Sequence, residues 1–100
     1  TRIDAATYAQ TLSVLAVLEG YATAQAYRNL TADDFERLRE TNEAMRRARS
    51  EFDLTAYSRL NQRFHAIILQ RCPNPYLVQQ VQTVQTVLMA LMALMELVKV

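Results

Sequence analysis

Apolar residues recur at three- and four-residue intervals along nearly the whole chain, a spacing that predicts helices rather than strands. The first such stretch covers residues 4–27. Tyr8, Leu12, Leu15, Ala22 and Ala26 form its stripe, with Val14, Leu18 and Tyr21 beside them. An apolar face that wide predicts more than one helical neighbour. Asp4 is placed to cap this helix by accepting from its first free N–H groups. Gly20 falls mid-helix, where it costs about 1 kcal/mol relative to Ala. A missing side chain there suggests that another helix comes close.

Thr31-Ala32-Asp33-Asp34 reads as a second helix start, with a capping hydroxyl and two acids at the positive helix end. It is a weak capping box, because Asp stands where Glu or Gln is usual. This helix extends to about residue 50, with Phe35, Leu38, Met45, Ala48 and Phe52 as its apolar positions. Glu36, Arg37, Arg39, Glu40, Glu43, Arg46, Arg47 and Arg49 lie mostly outside that stripe and read as a solvated face. Pairs such as Glu43–Arg47, four apart, add a few tenths of a kcal/mol each. Asp53 can cap a third helix over residues 54–71, whose apolar positions are Tyr57, Leu60, Phe64, Ile67 and Ile68. Cys72-Pro73-Asn74-Pro75 then breaks the pattern. Pro73 turns Cys72 away from helical angles, Asn74 caps, and Pro75 takes the first helical position, where no N–H is needed. That is the sharpest boundary in the chain.

The fourth helix starts at Pro75 and changes character midway. Tyr76, Leu77, Val81, Val84 and Leu88 alternate with Gln79, Gln80, Gln82 and Gln85. Residues 87–95 are apolar on every face, and Leu-Met-Ala occurs twice, at Leu88 and again at Leu91. Nine residues are short of the ~20 that span a bilayer. A helix apolar all round needs cover on all sides. Three other helices cannot surround it, so a second chain is expected to cover part of it. The fold class that follows is all-α, a bundle of about four helices associating with another chain.

Composition narrows the function classes. One hundred residues make a single domain, residues 1–100 here, which buries roughly 60–70% of its unfolded surface. One Gly and two Pro leave too few turn-formers for a many-stranded sandwich or barrel. A 51% hydrophobic content with net charge +1 argues against disorder, and offers no electrostatic footprint for nucleic acid or anionic membrane. The lone Cys72 excludes an intrachain disulfide framework and a Cys-rich zinc site. Thr1-Arg2-Ile3 does not open a signal peptide, so a cytoplasmic setting is expected.

Candidate chemistry centres on the third helix. Asn61 and His65 are four apart, hence on one side, continuing the line of Tyr57, Ile68 and Cys72. Together they offer an oxygen and a nitrogen to a metal. A site needs three or four ligands, however, and this chain has one His. The commoner outcome for such a pair is a buried Asn–His couple satisfied by hydrogen bonds or water. Glu19 lies in an apolar part of the first helix. It is either a hydrated edge residue or a buried carboxylate that needs a cation, for which Arg59 and Arg63 are candidates. Tyr8, Tyr21 and Tyr57 are each able to aim a hydroxyl into a pocket, although core aromatics with a wet tip are commoner. Cys72, with no base nearby in sequence, reads as structural. No phosphate loop, nucleophile with a local base or paired-carboxylate motif is present, so no enzyme is expected.

Several of these residues form a recognisable set. Leu18-Glu19, Leu30-Thr31 through Leu38, Met45, Asn61-Gln62-Arg63-Phe64-His65 and Asn74-Pro75-Tyr76-Leu77 resemble the FCD domain, over about residues 12–84. FCD is the C-terminal effector-sensing domain of one branch of GntR-family bacterial transcription regulators. The Asn-x-x-Phe-His element, followed some ten residues later by Asn-Pro-x-Leu, is its most specific part. The resemblance implies an antiparallel helical bundle that forms a homodimer or higher homo-oligomer around a pocket for a small carboxylate-type metabolite. It implies DNA binding only through an N-terminal winged helix-turn-helix, which this sequence does not include, and no membrane partner. Family members often hold a divalent ion of the zinc, nickel or manganese class, and Asn61 and His65 match the first two ligand positions. The two further family His have no counterpart here, and Leu15 stands where members often carry Arg. The expected ligand-binding set is Asn61, His65, Tyr57, Glu19 and Arg63. A structural helical oligomerisation module without a ligand site is the competing expectation.

Overall fold

The computed structural model describes residues 5–99, so Asp4, the expected first cap, lies outside the described residues. Four helices follow one another: α1 (Ala5–Tyr27), α2 (Ala32–Ser50), α3 (Leu54–Leu69) and α4 (Pro75–Lys99). No strand occurs among the described residues. Three of the four helices keep the expected bounds, while α3 ends at Leu69, two residues early. Its end is closed by Gln70, Arg71 and Cys72 N–H groups bonding Ala66, Ile68 and Leu69 carbonyls.

The chain divides into two compact units, one of residues 5–22 with 74–99 and one of residues 23–73. In the first unit the apolar spacing of α1 and α4 produces the core. Leu15 and Ala22 of α1 and Leu77, Val81, Leu88 and Leu91 of α4 are buried. Full burial of a side chain the size of Val81 contributes about 1.5–3 kcal/mol. The start of α4 is fixed as the sequence predicts. Asn74 Oδ1 accepts from the Leu77 N–H at 3.1 Å, and Pro75 occupies the first helical position. Gly20 departs from expectation. A Cβ placed on it would meet nothing within 4 Å, so no helix approaches through it and its cost is uncompensated by packing. The stretch Pro75–Met95 is 21 residues long at mean hydropathy 1.3, enough by length and composition to cross a membrane. The expectation of a shorter apolar run counted only the nine residues that are apolar on all faces.

In the second unit α2 and α3 form a helical hairpin. Thr31 Oγ1 accepts from the Asp34 N–H at 3.1 Å, and Asp34 Oδ2 accepts from the Thr31 N–H at 2.9 Å. The box is therefore complete in both directions despite the shorter Asp side chain. At the other end of α2 the N–H of Asp53 reaches the Ala48 carbonyl (2.8 Å) and that of Phe52 reaches Arg49 (3.1 Å). This crossed pair is a Schellman closure, and it places Phe52 in the left-handed region at φ 57°. Asp53 then caps α3 through the Ala56 N–H. Leu38, Ala48, Ile67 and Leu69 are buried in this unit. Phe35 and Phe52, expected in the apolar stripe of α2, are exposed instead. Phe52 leaves the helix before the stripe reaches it, and Phe35 packs edge-to-face on Tyr27 at 6.2 Å. Glu43 pairs with Arg46, three residues on, rather than with Arg47, just as Glu36 pairs with Arg39. Both spacings are neighbours on a helix surface.

Candidate functional site

Three of the residues expected to bind a ligand lie along one side of α3. Tyr57, Asn61 and His65 recur every four residues, and all three are half-buried. The His65 ring meets Phe64 edge-to-face, with centroids 6.2 Å apart and planes at 84°. Arg63, two residues from both Asn61 and His65, leaves the opposite side of the helix and is exposed. Tyr57 lines a shallow groove of about 80 Å³ together with Asn42, Met45, Arg46 and Arg49. Drug-sized ligands occupy roughly 300–1,000 Å³, so this groove suits only a small group. Two guanidinium forks, a phenol and a carboxamide line it, groups that complement a carboxylate. Arg46 also bonds the Glu43 carboxylate. Periodicity alone assigned these arginines to a solvated face, because only the packing of α3 on α2 brings Tyr57 beside them.

Glu19 belongs to the first unit. It is half-buried, and its carboxylate accepts from Gln85 Nε2 at 2.9 Å. A charge-assisted hydrogen bond from a carboxamide offsets part of the desolvation of that carboxylate. Of the other polar candidates, Tyr21 is exposed, and Tyr8 and the Cys72 thiol are half-buried.

The most deeply buried charge in the second unit is one whose position composition did not reveal. The Asp34 side chain has no solvent exposure. Arg71, just past the end of α3, donates to it from Nε at 2.7 Å and from Nη2 at 3.3 Å. Arg37 Nη1 lies 3.7 Å from Oδ1. The Asn29 carboxamide in turn donates to the Arg71 carbonyl at 3.1 Å. Hydrogen bonding from Arg71, followed by that from the Thr31 backbone, outweighs desolvation and lowers the Asp34 pKa from 3.8 to about 2. The Arg71 pKa is raised by the same contact. One carboxylate thus caps α2 and ties its start to the end of α3. The sequence signal was a Thr-x-x-Asp start and an Arg just before Cys-Pro, with nothing linking them across 37 residues.

A divalent ion does not fit the described residues as they stand. No group of three or more His, Cys, Asp or Glu side chains converges among them. Asn61 and His65 supply one neutral oxygen and one nitrogen, short of the three or four ligands that such ions take.

Comparison with known proteins identifies the class. The FCD domain family model matches residues 10–98, most of the chain. The chain belongs to that family, the C-terminal domain of GntR-family regulators, a regulatory and not a catalytic domain. The match continues through the apolar half of α4, beyond the residue 84 at which the motif resemblance stops. No curated protein and no solved structure matches the chain.

Proposed function

We propose that this chain is the effector-sensing and oligomerising domain of a GntR-type transcription regulator, working in the cytoplasm without a membrane partner. Its effector is a small carboxylate-type metabolite. The observation that carries the reading is the family match over residues 10–98 combined with the half-buried line of Tyr57, Asn61 and His65. On α3 the Asn61 carboxamide and the His65 imidazole offer donors to a carboxylate, and Tyr57 adds a phenol beside Arg46 and Arg49. Arg63 offers a charge at the outer side of the same helix. Glu19 sits in the other unit on Gln85, so the proposed contacts are those of α3. A zinc-, nickel- or manganese-class ion would need ligands beyond Asn61 and His65.

The metabolite acts by preferring one arrangement of a homo-oligomer. Contacts that differ between two arrangements shift their populations by that difference in binding free energy. An attached winged helix-turn-helix would read the shift as a change in DNA affinity. The whole of residues 1–100 acts as this one domain. The test is thermal melting of the protein with a panel of short mono- and dicarboxylates, each with and without zinc, nickel or manganese. A ligand at ~100 times its Kd stabilises the folded state by about 2.7 kcal/mol. One acid or a related group should raise Tm, with the gain lost in His65→Ala. A flat response across the panel would favour a structural oligomerisation module.

A further inference from the structure

The turn between α2 and α3 holds the two most exposed large apolar side chains among the described residues, Phe52 at 87% and Leu54 at 74%. Phe52 has a left-handed backbone, φ 57°, a place that Gly fills without steric cost. A phenylalanine there is held at a cost that a ring in solvent does not offset. Arg49 and Tyr57 bracket this turn, and they line the groove of about 80 Å³ with Asn42, Met45 and Arg46. The Arg49 guanidinium, the Asn42 carboxamide and the Tyr57 hydroxyl have no hydrogen-bond or ion-pair partner among the described residues. Arg46 shares its charge with Glu43. Two guanidinium charges less that carboxylate leave the groove a single net positive charge. Of the acids in the turn itself, Asp53 is engaged on the Ala56 N–H and Glu51 is exposed.

From this juxtaposition we infer that the α2–α3 turn docks a short segment of another protein in which one Glu or Asp lies between apolar residues. The carboxylate enters the groove on Arg49 and Arg46, and its apolar neighbours lie against Phe52 and Leu54. The inference goes beyond the effector reading, since it needs neither Asn61 nor His65. Charge supports the assignment. Guanidinium forks, a phenol and a carboxamide without acceptors complement a carboxylate, and one net positive charge matches one acid. Glu51 repels a second acid, so a run of acidic residues fits worse than a single one. Size supports it too. About 10–15 Å³ of such space holds one water, so the groove takes roughly five to eight water-sized groups. That is room for the end of an acidic side chain and not for a whole metabolite. Phe52 and Leu54 do not line the groove, so a free acid seated there leaves them in water. A peptide with flanking apolar side chains covers them. Arg, Tyr, Phe and Met are also the residue types concentrated at protein interfaces.

Titration of the nitrogen-15-labelled chain, followed by NMR, tests this with three probes. They are N-acetyl-Leu-Glu-Leu-amide, its Gln counterpart and sodium propionate, all at constant ionic strength. The Glu peptide should give saturable shifts at Arg49, Phe52, Leu54 and Tyr57. It should bind at least about fivefold more tightly than the Gln peptide, as a well-aligned exposed ion pair allows. It should exceed propionate by at least as much. Arg49→Gln should bring the Glu peptide down to the level of the Gln peptide. Phe52→Ala should weaken both peptides about fivefold, as loss of an interface anchor does, and leave propionate unchanged. Helical circular dichroism should be the same for both variants, because the replaced side chains are exposed. Arg28→Gln, at an exposed arginine elsewhere in the second unit, should leave binding as in wild type. Propionate binding as tightly as the Glu peptide, with no shift at Phe52 or Leu54, would assign the groove to a free acid and overturn the inference. Equal binding of the two peptides, an equal loss in Arg28→Gln, or the absence of saturable shifts would overturn it as well.

Discussion

Phe52 offers a perturbation whose size follows from local geometry. It sits at φ 57° in the turn that closes α2, and its side chain is 87% exposed. For a residue with a Cβ, left-handed geometry costs roughly 1–2 kcal/mol. Replacement by Gly removes that cost but restores conformational freedom to the unfolded chain, which takes back about 0.4–1 kcal/mol. Almost no buried apolar area is lost, because the ring is in solvent. Phe52→Gly should therefore stabilise by about 0.5–1 kcal/mol, or a Tm rise of roughly 2–8 °C at this chain length. Phe52→Ala separates the two effects, since it removes the ring and keeps the Cβ. Its stability should stay within about 0.5 kcal/mol of wild type. Urea unfolding followed by circular dichroism measures both, with the midpoint moving and the slope m unchanged. Destabilisation of Phe52→Gly would show that the ring contributes contacts of its own, and equal gains from Gly and Ala would trace the gain to loss of the ring; either result would refute the strain argument.

Other perturbations follow from the same structure. Gly20→Ala should stabilise by about 0.5–1 kcal/mol in a thermal melt, because α1 gains helix propensity and the new Cβ meets open space. Val81→Ala should cost about 1–3 kcal/mol in urea unfolding, from lost burial and the cavity left behind. The Asp34 pKa is lowered on folding, so its contribution to stability is complete above 3.8 and is lost as pH falls through about 2. Asp34→Asn should therefore start less stable at neutral pH and lose less than wild type across that window, as read by melts at stepped pH.

How much of this was legible follows from the range of each signal. Local chemistry was readable: Thr31, Asp53 and Asn74 cap as predicted, and Pro75 starts α4, because each effect acts within three residues. Long-range pairing was not. The sequence placed Asp34 at a helix start and gave Arg71 no role, and only packing shows that the half-buried Arg71 neutralises the buried carboxylate. The Tyr57 groove was hidden for the same reason, since Arg46 and Arg49 come from another helix. The Asn61–His65 spacing was plain on the sequence, yet spacing alone cannot say what faces the pair. Gly20 misled because a missing side chain marks either a close approach or an empty flank, and here the flank is open. The apolar tail of α4 pointed to a partner by composition.

The most direct test of the account is isothermal titration of wild type and His65→Ala with whichever short carboxylate gives the largest shift in melting. Saturable binding to wild type that the substitution weakens by at least about tenfold, as loss of a charge-assisted or buried hydrogen bond does, is the result the account requires. Heat that is indistinguishable from dilution, or identical binding curves for the two proteins, would contradict an effector site on α3.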